Sequence, residues 1–328
     1  MQTASDRSEE RHAFRQMSKL QWLTTLATLL AVMVLTFVSP IEVDVDGFTL
    51  NHLFGTVFGT VGLFYTYARF DVRVAAICDT VAQLALFILI GGIASYLAAY
   101  YGAASVFIDH RLLAFDQSLG FDWRAFLAFM SAHPNLAALL NVAYLSIIWQ
   151  AIALVAVLAA THRHARLQAF TFAFQLSALA CIVGSALLPA LGVYSYLDID
   201  AAAHRGIDLP TLDHYVPTLM QLRGSTPHLP TGIIEGIVTF PSLHMALAVL
   251  FIWGFWGVPI LRWFALVLNG LMIVATPLSG SHYLADLAAG AMMAVLALLL
   301  AIWARDRLYA PARGRAADPF GTAKPAIA

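Results

Sequence analysis

Residues His282–Trp303 read HYLADLAAGAMMAVLALLLAIW, and no charge follows Asp286 within the run. About 20 apolar residues, rising ~1.5 Å each, cross a ~30 Å hydrocarbon layer. The stretch therefore reads as a membrane-crossing helix, and it opens on a histidine and an aspartate four residues apart. An acid inside such a span is costly and marks a candidate functional site.

Working outward, the same length criterion gives eight spans, near 21–38, 51–68, 74–100, 135–160, 168–196, 241–257, 261–279 and 282–303. The expected fold is all-α, a polytopic membrane helix bundle. Composition agrees: of 328 residues, 60% are hydrophobic and 11% charged, with a mean hydropathy of +0.77. A soluble domain carries about 25% charged residues. A net charge of −1 gives no global reason to expect a nucleic-acid partner. Cys78 and Cys181 both fall in apolar runs, as packing residues do. The N-terminus mixes acids and bases, and the run after it lacks a small-residue cleavage site, so it reads as a retained first span. Gly55 and Gly59 stand at GxxxG spacing, a signature of close helix packing. Asp79, also within a span, reads as structural. Between the third and fourth spans, residues 103–133 carry apolar residues at helical spacing with scattered charge, as one or two interfacial helices would.

Orientation follows from Lys and Arg in alternating loops. With the N-terminus inside, fourteen of the 18 cations fall on the inner side, leaving Arg111, Arg124, Arg205 and Arg223 outside. Both termini are then cytoplasmic, in the plasma (inner) membrane. Spans six and eight both begin at the extracytoplasmic face, so TFPSLHMA (Thr239–Ala246) and SGSHYLADLAAG (Ser279–Gly290) can meet.

The residue types fit phosphoryl transfer. Positions four apart stack on one helix face, so Asp286 can hold one ring nitrogen of His282 and leave the other as a nucleophile. His244 follows Pro241 and Ser242 at a helix start, where free N–H groups bind anions. It can protonate a leaving oxygen, while Ser242 and the helix start hold the phosphoryl oxygens. The rival use of two histidines and a carboxylate is a zinc site.

FPSLHMA resembles the second signature of the type-2 phosphatidic acid phosphatase (PAP2) superfamily, and HYLADLAAG its third. Their forms look most like the branch containing inositol phosphorylceramide synthases, enzymes of sphingolipid and phospholipid metabolism. The resemblance implies a six-helix core within residues 74–303, with motifs at 239–246 and 279–290. Around it lie a cytoplasmic segment 1–20, two additional helices in 21–73, and a disordered cytoplasmic tail 304–328. It implies His282 as the residue that becomes phosphohistidine, Asp286 as its orienter and His244 as the acid. Ser242 would hold phosphate, and no metal or other cofactor is required. The substrate would be a phospholipid or lipid phosphate, with transfer to a lipid or polyol hydroxyl or, in a phosphatase, to water. A non-catalytic lipid-phosphate transporter or binding protein is the reading from another class. No oligomeric state follows.

Two departures stand out. The first signature, a Lys followed by Arg-Pro, is missing near the end of span five. Ala275 and Thr276 occupy the positions where the third signature usually has Ser-Arg. Cations must come from elsewhere, and Arg223 is the first candidate for phosphate binding, ahead of Arg205 and His214.

Overall fold

The computed structural model describes residues 4–41, 49–200, 204, 207, 212–224 and 236–316. Among the described residues it is all-helical. The chain runs through α1 (Ala4–Phe37), α2 (Thr49–Leu63, continued by a π turn, Phe64–Ala68) and α3 (Val72–Tyr101). Four shorter helices follow: α4 (Asp109–Ser118), α5 (Trp123–Ala132), α6 (Pro134–Leu145) and α7 (Ile147–Ala160). Next come α8 (His164–Leu187), the single turn α9 (Val193–Tyr196) and α10 (Leu212–Leu222). The motif helices close the chain: α11 (Leu243–Trp256), α12 (Leu261–Gly280) and α13 (Leu284–Ala316).

Among the described residues, five helices are long and apolar enough to cross a membrane: Ser8–Phe37, Val72–Ala104, His164–Leu187, Leu261–Gly280 and Leu284–Tyr309. The other three expected spans fall on shorter apolar helices. Residues 135–160 are divided between α6 and α7, and α7 and α11 have only 14 residues each. The chain bends by 105° between α5 and α6, at the step into Pro134. The expected fifth span ends early: α8 stops at Leu187, because Pro189 cannot continue it. Residues 103–133 do form two helices, α4 and α5.

The surface inverts the soluble pattern. Trp149, Ile148 and Phe264 are among the most exposed side chains. Polar groups lie inside instead. Thr25 of α1 donates to Gln83 of α3 (2.6 Å), and Gln175 of α8 donates to both Thr25 (2.9 Å) and Gln83 (3.0 Å). Hydrogen bonds of this kind hold helices together where the lipid gives no hydrophobic drive. Asp79 is equally structural, accepting from Trp22 Nε1 at 2.6 Å. Gly55 meets α3 so closely that an added Cβ would lie 2.4 Å from Leu86 Cδ2, as the GxxxG spacing anticipates.

Helices run past two of the expected boundaries. The polar segment 1–20 is helical from Ala4, and Ala13, Phe14 and Met17 are buried in the main core. Their i, i+1, i+4 spacing makes a buried stripe despite the charges around them. At the other end, α13 continues to Ala316 where a disordered tail was expected from 304. Ala297, Ala301, Ala304 and Leu308 extend its apolar stripe, and Tyr309 donates to Gln168 Oε1 at 2.7 Å. Residues 317–328 lie outside the described residues.

Candidate active site

The starts of α11 and α13 are pressed together. Ser242 ends the extended lead-in to α11 and caps it, its Oγ accepting from Met245 N at 3.4 Å. The Ser242 N–H donates to the Asp286 carbonyl at 3.1 Å. One turn further along α13, a Cβ on Gly290 would lie 2.2 Å from the Ser242 carbonyl oxygen. Gly290 is thus a packing requirement as well as part of a pattern.

His282 and Asp286 pair as their spacing requires. His282 Nδ1 lies 3.1 Å from Asp286 Oδ2, and the same oxygen accepts from Tyr283 N at 3.0 Å. Both side chains are buried. With Nδ1–H donating to the carboxylate, Nε2 keeps its lone pair. His244, on the facing helix, has His282 as an electrostatic neighbour. Tyr144 of α6 lies against His244, with rings 4.0 Å apart and nearly parallel, and its Oη 3.3 Å from His244 Nδ1. A Cβ on Gly280 would come within 2.9 Å of Tyr144 Oη and 3.4 Å of His282 Nε2. The tyrosine hydroxyl and the free nitrogen of His282 therefore border one small space, kept open by a glycine.

Sequence reasoning missed the residues that set this geometry from outside the motifs. Asp116 of α4 accepts from Leu284 N (3.1 Å), Ala285 N (3.4 Å) and Trp123 Nε1 (3.0 Å), so it caps α13 from another helix. Asp109 accepts from the N–H groups of Leu191 and Gly192 and from the Tyr283 hydroxyl at 3.0 Å. Burial pushes both carboxyls above their ordinary range, and these hydrogen bonds oppose the shift. Tyr194 donates to the carbonyls of Pro277 and Leu278 and takes Ser281 Oγ at its own N–H. That fixes the turn in which Ser281 adopts a left-handed φ of 55°. The available signal was spacing: Asp109, Leu112 and Asp116 share the buried face of α4.

Arg223 is held by backbone carbonyls. Its guanidinium donates to the carbonyls of Gly102 (2.9 Å), Ala103 (3.0 Å) and Ser105 (2.5 Å), and lies 4.3 Å from the Phe107 ring centroid. Arg205 and the His214 side chain lie outside the described residues. Ala275 and Thr276 are buried, and Thr276 Oγ1 donates to Met272 O at 2.7 Å. Among the described residues, no group of three or more His, Cys, Asp or Glu converges as a metal site would.

A family model described as the PAP2 superfamily matches residues 110–300, more than half of the chain. The chain belongs to the PAP2 superfamily. The match enters in α4 and leaves in α13, so it takes in both motif helices together with Asp116 and Tyr144. It identifies the superfamily without separating its branches. No curated protein and no solved structure matches the chain. Membership in the PAP2 superfamily points to phosphatase or phosphotransferase chemistry on lipid phosphates, and the apolar helices point to a membrane protein.

Proposed function

We propose that this PAP2 protein cleaves or transfers a phosphoryl-type group on a membrane lipid through a phosphohistidine on His282. The observation that carries the reading is the His282 Nδ1–Asp286 Oδ2 pair at 3.1 Å, buried beside His244. In the first half-reaction the Nε2 lone pair attacks phosphorus, and the bond from phosphorus to the leaving oxygen breaks. His244 gives that oxygen its proton, while Asp286 offsets the positive charge that develops on the His282 ring. In the second half, an acceptor hydroxyl attacks phosphorus, His244 takes its proton, and the P–N bond breaks to restore His282.

Ser242 and the N–H groups at the start of α11 are the donors proposed for the phosphoryl oxygens. Arg223 is proposed to supply the charge that the first signature would have provided, although three carbonyls already occupy its guanidinium. An Arg223→Ala variant with undiminished turnover would remove it from the site. The cation bias across loops supports cytoplasmic termini in the inner membrane and a site at the extracytoplasmic face.

The form of the two motifs favours an alcohol acceptor, hence head-group transfer like that of inositol phosphorylceramide synthases. Water as acceptor would make the protein a lipid phosphatase. Purified protein would be offered lipid phosphates and phosphodiesters, with and without ceramide, diacylglycerol or inositol, and products read by mass spectrometry. Acceptor-dependent product establishes a transferase, and phosphate release without acceptor a phosphatase. Equal silence of wild type and His282→Ala across the panel would overturn the catalytic reading in favour of lipid-phosphate binding or transport.

A further inference from the structure

At the far end of α13, a cleft of about 290 Å³ opens between the beginning of α1, the α7–α8 link and the last turns of α13. Arg305 follows Leu284 by 21 residues, which is roughly 30 Å along the helix. The cleft is therefore separate from the histidine site, and nothing in the proposed chemistry uses it.

Its lining is cationic. Arg163, Arg166 and Arg305 border it with His162 and His164, and Glu10 is the one carboxylate among the described lining residues. Two of these arginines are held in place by other contacts. Arg166 lies over the Trp253 ring and donates to the carbonyls of Gly254 and Trp253. Arg305 donates to Asp306 at 2.9 Å. Neither set uses all five N–H groups of a guanidinium. Arg163 is exposed, and its guanidinium reaches over to Gly257 at the end of α11.

His164 supplies the second, independent observation. It is only 4% exposed, it lines the cleft, and neither of its ring nitrogens has a hydrogen-bond partner. Buried polar atoms are normally paired, and an imidazole always carries at least one N–H to give. A cluster of cations around a buried donor without an acceptor calls for a multivalent oxyanion. The space suits one: at about 30 Å³ per water, it holds the equivalent of roughly ten waters. Guanidinium forks match phosphate oxygens in geometry and charge.

We propose that this cleft binds a phosphate group, with Arg163 and Arg305 as its charged ligands and His164 as its buried donor. The phosphate could belong to the head group of an anionic lipid in the leaflet opposite the histidine site, or be free inorganic phosphate. The site stands or falls independently of the catalytic reading.

The test uses the full-length protein in a His282→Ala background, so that no probe is consumed. Native mass spectrometry would count bound phosphatidic acid, with phosphatidylcholine as the neutral control, and would be repeated with inorganic phosphate. The parent would be compared with Arg163→Gln/Arg305→Gln. Because the same background carries both, any phosphate held at the histidine site cancels. The expected result is one phosphatidic acid fewer per chain in the double variant, or at least a tenfold weaker affinity. Competition by inorganic phosphate would identify the bare anion as sufficient, and its failure would assign the site to a lipid head group. Equal binding by parent and double variant would overturn the proposal, as would binding no stronger than that of phosphatidylcholine. Should the double variant melt lower than its parent, His164→Phe provides a second, uncharged probe. It should lose the same phosphatidic acid with both arginines intact, and retention would again overturn the proposal.

Discussion

Asp286 uses one oxygen twice and leaves the other unmatched: Oδ2 accepts from His282 and Tyr283, while Oδ1 is buried without a partner. The oxygen that faces His282 is therefore the one that does the carboxylate's hydrogen bonding, shared between that ring and the Tyr283 N–H. Asp286→Asn keeps the shape and removes the charge, and the imidazole is then free to adopt the other tautomer. We expect kcat to fall by roughly 10²–10⁴-fold, the range of a lost acid–base orienter, with the melting temperature little changed. Tyr144 calls for a finer experiment. Tyr144→Phe preserves the 4.0 Å stacking on His244 but removes the hydroxyl near Nδ1. One hydrogen bond of about 1 kcal/mol corresponds to a roughly fivefold loss. It should appear in kcat rather than KM if the hydroxyl acts through His244, and an unchanged kcat would limit Tyr144 to packing.

Among elements, α4 does the most with the fewest residues. Ten residues place two carboxylates on one buried face, one on the start of α13 and one on the segment before α9. Asp116→Ala removes the cap of α13 and orphans the Trp123 N–H, costing about 1 kcal/mol for the cap and about 1–3 for the buried donor. A lower melting temperature and a lower kcat should appear together, and Asp116→Asn, which keeps one acceptor oxygen, should recover part of both. Acid titration gives a further check. Burial raises both carboxyls above their unfolded value of 3.8. The folded chain then holds these protons more tightly than the unfolded one. Their contribution is greatest below the unfolded value and is lost as pH rises through the folded one. Melting curves recorded from about pH 3 to about pH 7 should accordingly be flatter for Asp109→Asn/Asp116→Asn than for wild type.

Such cross-element contacts are what the sequence conceals. His282 and Asp286 were legible because their relation is local, four residues on one helix. Tyr144 meets His244 across 100 positions, and Asp116 meets Leu284 across 168, so no spacing rule reaches them. The long spans were legible for the opposite reason, since sheer apolar length carries them. The first turns of α1 and the last of α13 were not, because their buried stripes are diluted by charge. Arg223 has partners of the same hidden kind, since the carbonyls of Gly102, Ala103 and Ser105 lie more than 100 positions before it.

At the scale of the whole molecule, α1 is tied to α3 and α8 by the Thr25–Gln83–Gln175 network and by Gln21 Nε2, which donates to Gln168 O at 2.6 Å. Interhelical hydrogen bonds inside membranes average about 0.6 kcal/mol. Gln175→Leu breaks three of them, to Gln21 O, Thr25 and Gln83, and should lower unfolding stability by about 2 kcal/mol. Denaturation in mixed detergent micelles would measure this, and turnover should be unaffected because no active-site residue is touched. A loss of turnover with stability intact would mean that α1 takes part in positioning the site.

The unbroken run of α13 has a consequence of its own. His282 stands just before the helix and Arg305 lies 21 residues after Leu284, so roughly 30 Å, about one hydrocarbon thickness, separates them. On the proposed chemistry, the scissile phosphorus of an embedded lipid would float at the level of His282, held there by its own tails. Such a substrate would arrive at working height without being lifted, so selectivity should depend on the chemistry of the head group and hardly on the length of the chains beneath it.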